Sequence, residues 1–285
     1  MALITSPSNP RVTRARELQT TKGRKKHGLF LMEGPHLLEV LLNSALLPAE
    51  VYYQPALLER TAQGRSLLHR LLHRRDLSSD SRVEVSDRVI ESISDTQTSQ
   101  GVVSVLPLSA FAPQQTSTRR PPGTRPALLI LDGLSDPGNM GTILRTALAA
   151  DVAEVLLTPN CVDCFSPKVV RAAAGAHVAL PVAVDQTWDI IEEHIEKHCR
   201  GKRRVLLAEA GSSRHYFEQD LRSPFALITG NEAHGPSPAA RKQATTSISI
   251  PLANNVESLN AAMATGIILY EAVRQLQAGA RGIAP

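Results

Sequence analysis

Between residues 127 and 251 the chain returns six times to a short apolar run: "ALLILD" (127–132), "EVLLT" (154–158), "HVALPVAV" (177–184), "RRVLLAE" (203–209), "FALITG" (225–230) and "SISIP" (247–251). Apolar runs of this length are typical of parallel strands buried on both faces. Helices fit between them, and the chain closes with about twenty residues of helical pattern from Ser258. The expected fold class is therefore α/β, with a parallel sheet in the C-terminal part.

Upstream, "PLSAFAPQQTSTRRPPGTRP" runs from Pro107 to Pro126 with five prolines and many Ser, Thr and Gln residues. Proline removes backbone donors and biases its predecessor towards extended geometry, so this stretch predicts a linker. It sets an N-terminal domain of residues 1–106 apart from a C-terminal domain of 127–285. The N-terminal part also alternates. A basic helix at about 9–20 leads to a strand at "LFLME", the amphipathic helix "GPHLLEVLLNSALL" and a strand at "EVYYQ". A Leu/Arg-rich helix at about 56–75, a strand at "RVEVS", a short helix and a strand at "GVVSVL" follow. This predicts a second, smaller α/β domain.

At 285 residues, 42% hydrophobic and 20% charged, the chain has a soluble globular profile with room for two cores. Aromatics at 4% argue against extended stacking platforms for single strands. The net charge of +4 leans towards polyanionic partners, and it is unevenly spread. Arg11, Arg14, Arg16, Lys22, Arg24, Lys25 and Lys26 face Glu17 alone in the first thirty residues, a cluster expected to contact phosphates. Three cysteines make no disulfide framework. No apolar stretch reaches transmembrane length, and "SPSNPRVTRARELQ" reads better as a capped helix than as a cleavable leader, so a cytoplasmic protein is expected.

Three turns in the C-terminal part carry more glycine and polar residues than a connection needs. "LDGLSDPGNMGTILRTALAAD" leaves a strand at Asp132 and enters a helix near Gly141, with Arg145 placed to face the loop. "LITGNEAHGPS" sets Glu232 and His234 between Gly230 and Gly235, where glycine allows close approach to backbone. "IPLANNVESLN" offers Asn254, Asn255, Glu257, Ser258 and Asn260. A helix cap explains Ser258 or Asn255 but leaves Asn260, inside the expected first turn, unexplained. In open α/β sheets such loops, at the carboxyl ends of strands, are where ligands bind.

Together these loops resemble the SpoU (TrmH-like) class of SPOUT RNA 2′-O-ribose methyltransferases, over nearly the whole chain. The matching motifs are Asn139-x-Gly141-x-x-x-Arg145, Gly230-Asn231-Glu232-x-x-Gly235, and Ile250-Pro251 followed by Glu257-Ser258-Leu259-Asn260. "SPKVVRAAAGAH" (166–177) looks like the family's segment between the first two motifs, and the N-terminal part resembles, more loosely, its RNA substrate-binding domain, related to ribosomal-protein folds. The resemblance implies a deep trefoil knot, S-adenosylmethionine as cofactor, structured RNA as substrate, and a homodimer in which first-motif residues complete the partner's site. It implies catalytic roles for Arg145, Asn139, Glu232, Ser258 and Asn260, and cofactor contacts at Gly230, Asn231, Gly235, Ile250, Pro251 and Leu259. A separate binding domain and a basic lead-in favour large-subunit ribosomal RNA over transfer RNA within that family.

Two other readings fit the sequence less well. A non-catalytic RNA-binding or assembly factor has no need of all five catalytic positions together. A nucleotide-dependent oxidoreductase wants G-x-G-x-x-G after a strand, a spacing that "DGLSDPGNMG" does not offer. No metal is expected: Cys161-x-x-Cys164 has no second ligand pair, and His234 reads as a loop residue.

Overall fold

The structure is a computed structural model and describes residues 3–111 and 127–280. It divides into two compact units. One holds the chain up to Phe111 together with Phe165–Val178; the other holds the described residues of 127–164 and 179–280. Of the proline-rich stretch, residues 112–126 lie outside the described residues; Pro107 ends a strand and Leu108–Phe111 form a 3-10 turn.

In the first unit the order is α1 (Pro10–Glu17), α2 (Thr21–His27), β1 (Leu29–Glu33), α3 (Pro35–Leu42), β2 (Glu50–Tyr53), α4 (Pro55–Leu58), α5 (Ala62–His73), β3 (Arg82–Glu84), α6 (Asp87–Ile93) and β4 (Val102–Pro107). The sheet runs β1-β4-β2-β3, with β4 antiparallel to both β1 and β2 and β3 parallel to β2. The basic helix expected at about 9–20 is α1, and a second basic helix, α2, follows beyond it. Asn9 caps the first, accepting from the Arg11 N–H at 2.9 Å, and Thr20 caps the second, accepting from the Gly23 N–H at 3.1 Å. The break is tight: a Cβ on Gly23 would lie 2.0 Å from the Glu17 carbonyl oxygen.

Arg24 secures that break. Only 3% exposed, it donates to the carbonyls of Leu18 at 2.8 Å and Gln19 at 2.9 Å. Arg24→Met keeps the bulk and strands these buried acceptors. It is expected to destabilise the chain by about 2 kcal/mol, read as a lowered urea midpoint at constant slope.

The second unit contains β5 (Ala127–Leu131), α7 (Pro137–Ala149), β6 (Val155–Leu157), β7 (Val182–Ala183), α9 (Trp188–Cys199), β8 (Val205–Ala208), β9 (Phe225–Thr229), α10 (Pro238–Gln243), β10 (Thr246–Ile248) and α11 (Ala261–Ala280). Between β6 and β7, α8 (Pro167–Ala172) belongs to the first unit, where Val170 joins Phe30, Met32, Leu37 and Leu106 in one apolar cluster. The sheet is parallel throughout in the order β10-β8-β9-β5-β6-β7. Every residue of β5 and β9 is buried, as their apolar runs predict, and Leu128, Ile130, Ala226 and Ile228 pack in one cluster with Ile191 and Ile195 of α9.

One strand expectation is corrected. Of "HVALPVAV", Val182 and Ala183 alone form a strand, and Ala176–Val178 are a 3-10 turn. Pro181 has no N–H to give a ladder, although its carbonyl accepts from the Val155 N–H at 2.9 Å. No described helix is long and apolar enough to cross a membrane.

Candidate functional site

The register of the parallel sheet brings four strand ends level. Leu131 pairs with Thr229, Thr229 with Ala208, and Ala208 with Ile248. The chain therefore leaves the sheet at Asp132, Gly230 and Ser249 along one carboxyl edge. Strand order also reverses between β5 and β9, because β5, β6 and β7 progress to one side before β8 restarts on the other. That reversal is where open α/β sheets hold ligands.

The first two loops are stitched to each other. The buried Asp132 carboxylate accepts from the Ser237 N–H at 2.7 Å, and Asn231 Nδ2 donates to the Gly133 carbonyl at 2.7 Å. Asn231 also folds its own loop: its Oδ1 accepts from the N–H groups of Ala233 at 2.9 Å and His234 at 3.0 Å. Gly230 is sterically obligatory, since a Cβ there would sit 2.4 Å from the Pro236 nitrogen. Asp136 caps α7 through the Asn139 N–H at 2.7 Å, with proline next in the chain at the first helical position.

Glu232 crosses from the second loop to the first. Its carboxylate accepts four hydrogen bonds: from Ser135 N–H at 3.1 Å, Ser135 Oγ at 3.0 Å, Asp136 N–H at 3.2 Å and Asn139 Nδ2 at 3.0 Å. Burial works against the charge. The bonds from Asn139 and from the Glu232, Ser135 and Asp136 backbone overcome it and bring the carboxyl down from its ordinary 4.5 to about 2.

That fixed charge orients two amides in series. A carboxylate only accepts, so Asn139 must turn Nδ2 towards Glu232 and Oδ1 away. Asn139 Oδ1 then accepts from Asn260 Nδ2 at 2.7 Å. Asn260 is left presenting Oδ1 to α11, where it accepts from the N–H groups of Ala262 at 2.9 Å and Met263 at 3.2 Å. Asn260 is thus the helix cap itself. The expected start at Ser258 is corrected to Ala261, and the asparagine that seemed misplaced inside a helix stands before it. Asn254 and Asn255 have another explanation, since both hold left-handed backbone with φ of 58° and 56°, which asparagine tolerates.

The structure joins Asn139, Glu232 and Asn260 and places Gly230, Asn231 and Gly235 around them. Arg145 stands apart. It is exposed on α7, six positions and about 9 Å of helix rise beyond Asn139, with no side-chain partner among the described residues. Ser258 and Pro251 are exposed, Ile250 and Leu259 are half-buried, and none of them touches the Glu232 cluster through a side-chain hydrogen bond. Asp132, Ser135 and Thr158, which accepts from the Gly133 N–H at 2.9 Å, shape the site without having been singled out in the sequence. Asp136-Pro137 could have been read as a helix cap; nothing in the sequence marked Thr158.

Several of the predicted phosphate contacts are already engaged. Arg11 Nε and Arg14 Nη2 meet Glu50 Oε1 at 2.8 and 2.7 Å, and the same buried carboxylate takes the Tyr52 hydroxyl at 2.7 Å. Arg24 is turned inward, and Lys26 pairs with Glu17 at 2.8 Å. Arg16, Lys22 and Lys25 remain exposed without an ion pair among the described residues. Burial raises the thiols of Cys161 and Cys164, and Cys161 Sγ donates to the Leu131 carbonyl at 3.1 Å.

Comparison with known proteins places these features. The SpoU rRNA methylase family model matches residues 126–270, and a model described as an MRM3-like substrate binding domain matches residues 9–104. The chain is 36% identical to an uncharacterized tRNA/rRNA methyltransferase, slr1673, of Synechocystis sp., over 96% of this chain and 94% of that protein. It is 29% identical to RlmP of Bacillus subtilis, a 23S rRNA (guanosine-2′-O)-methyltransferase, over 95% of this chain and 98% of that one. Among solved structures, an AdoMet-bound rRNA methyltransferase from Sinorhizobium meliloti superimposes with a TM-score of 0.78 at 30% identity, covering 96% and 98% of the two chains. By sequence, by fold and by the loops that its motifs occupy, this chain belongs to the SpoU rRNA methylase family.

Proposed function

We propose that this protein transfers the methyl group of S-adenosylmethionine to a ribose 2′-hydroxyl of large-subunit ribosomal RNA. The observation that carries the reading is the chain Glu232–Asn139–Asn260, which ties all three motif loops together through side chains. Asn139 spends one N–H and one lone pair within that chain. The second of each is left to hold a hydroxyl that both donates and accepts.

The third loop fits the cofactor. From Pro251 to Leu259 the described backbone makes one internal hydrogen bond, Val256 N–H to the Ala253 carbonyl at 3.2 Å. The other amides and carbonyls of this exposed stretch are the donor and acceptor set that an adenine edge takes up. When bound, S-adenosylmethionine supplies an electrophilic methyl group on a sulfonium. The residues of the chain do the rest. Asn139 orients the 2′-oxygen, and Asn260 and Glu232 lock Asn139, a positioning task that contributes up to roughly 7–11 kcal/mol. Glu232 is not the proton acceptor, because its carboxylate is already filled by four donors and titrates near 2. Arg145, a guanidinium with donors only, acts on the adjoining phosphate or the developing alkoxide.

The isolation of Arg145 supports a homodimer, in which this side chain serves the partner's site. Met263 and Tyr270, seven positions apart on α11, are 60% and 50% exposed, an apolar stripe suited to such an interface. The deep trefoil knot rests on the family resemblance; residues 249–260, which run from β10 at the sheet edge to Asn139 on α7, are the segment it would involve.

Titration calorimetry with S-adenosylmethionine, beside tritium transfer from labelled cofactor to deproteinised ribosomal RNA, tests the proposal. Binding with alkali-resistant label at ribose is the expected result. Binding without transfer overturns the ribosomal RNA assignment, and if transfer RNA also takes up no label the protein is an RNA-binding factor on the same fold.

A further inference from the structure

α5 presents a cationic face that no motif accounts for. From Arg60 to Arg75 the sequence "RTAQGRSLLHRLLHRR" carries five arginines and two histidines with no acidic residue. The helix sorts them. Gly64, Leu67, Leu68 and Leu71 are buried, while Arg65, His69 and His73 recur at every fourth position on the exposed side. His69 and His73 stack with ring centroids 4.1 Å apart, extending that stripe over about 12 Å of helix rise. Arg74 is spent on Asp76 and on the carbonyls of Leu41 and Ser44. Arg65 donates to the Glu59 carbonyl and Arg70 to Asn43 Oδ1, both uncharged acceptors, and Arg60 and Arg75 are exposed. None of these four arginines meets a carboxylate within salt-bridge distance among the described residues.

We infer that this face is an RNA phosphate-binding surface of the N-terminal unit, carrying more free charge than the basic segment at α1 and α2. The contrast favours it. Arg11 and Arg14 are held by Glu50, Lys26 by Glu17, and Arg24 is buried, whereas Arg60, Arg65, Arg70 and Arg75 stand unneutralised. Phosphate contacts of this kind release counterions and so set the salt dependence of binding. The inference rests on RNA being the substrate.

The test is anisotropy of a fluorescein-labelled stem-loop from ribosomal RNA, titrated with the full chain over a range of KCl concentrations. Two variants are compared with wild type: Arg60→Gln/Arg75→Gln, whose side chains support nothing in the fold, and the fourfold Arg60→Gln/Arg65→Gln/Arg70→Gln/Arg75→Gln. The slope of log affinity against log salt is expected to fall by about one for each arginine removed, while calorimetric S-adenosylmethionine binding stays as in wild type. Arginine-to-lysine replacements at the same sites keep the slope. If both glutamine variants keep the wild-type slope while Arg16→Gln/Lys22→Gln/Lys25→Gln loses it, the inference is overturned and the RNA reading stands. A wild-type chain that binds no stem-loop overturns both.

Discussion

Arg145→Ala is expected to lower methyl transfer at least 10²-fold to 10³-fold, the range for removing one preorganised charge from a developing oxyanion. Cofactor affinity should remain near wild type, because Arg145 makes no side-chain contact with the loops from Gly230 to Gly235 or from Ile250 to Asn260. Single-turnover tritium transfer and calorimetry on the same sample separate the two effects. If the arginine serves the partner's site, mixing Arg145→Ala protein with Asn139→Ala protein restores activity in the heterodimer. Each mixed dimer then holds one site with both residues intact. Near-normal turnover by Arg145→Ala itself would refute the role.

Glu232→Ala is expected to be nearly as severe for a different reason. Removing the carboxylate leaves Ser135, Asp136 and Asn139 donors without their acceptor and frees the Asn139 amide to turn over. The 2′-hydroxyl then meets either end of that amide. Turnover is expected to drop about 10²-fold, the scale for a misplaced reacting group. Glu232→Gln distinguishes charge from size, because it can offer an N–H where two backbone N–H groups need an acceptor.

The same residue sets an acid limit on stability. Its folded value of about 2 lies below the ordinary 4.5, so the stabilisation is fully present above pH 4.5 and is lost as pH falls towards 2. Urea midpoints of wild type and Glu232→Gln should therefore differ at pH 6 and converge on acidification. A difference that persists unchanged at low pH would show that the carboxylate charge is not what locks the loops.

Much of this site was legible in the chain. Asn139, Glu232 and Asn260 stand in motifs that the family resemblance singled out, and the apolar runs of β5 and β9 announced buried parallel strands. Other parts were not. Seven basic residues near the N-terminus look alike in sequence, yet Glu50, nearly forty positions away, claims Arg11 and Arg14, and the turn before α2 takes Arg24. "HVALPVAV" has the composition of a strand, but one proline leaves it two residues of ladder.

Which residues are apolar, where the turns fall and which side chains can donate or accept are all set by the order of residues, because these are properties of short stretches. Tertiary structure alone decided that Leu131, Thr229, Ala208 and Ile248 end level, and therefore that three distant loops meet. It also decided which way two asparagines face: an amide has no preferred orientation until a carboxylate from another loop, accepting only, imposes one along the chain from Glu232 to Asn139 to Asn260.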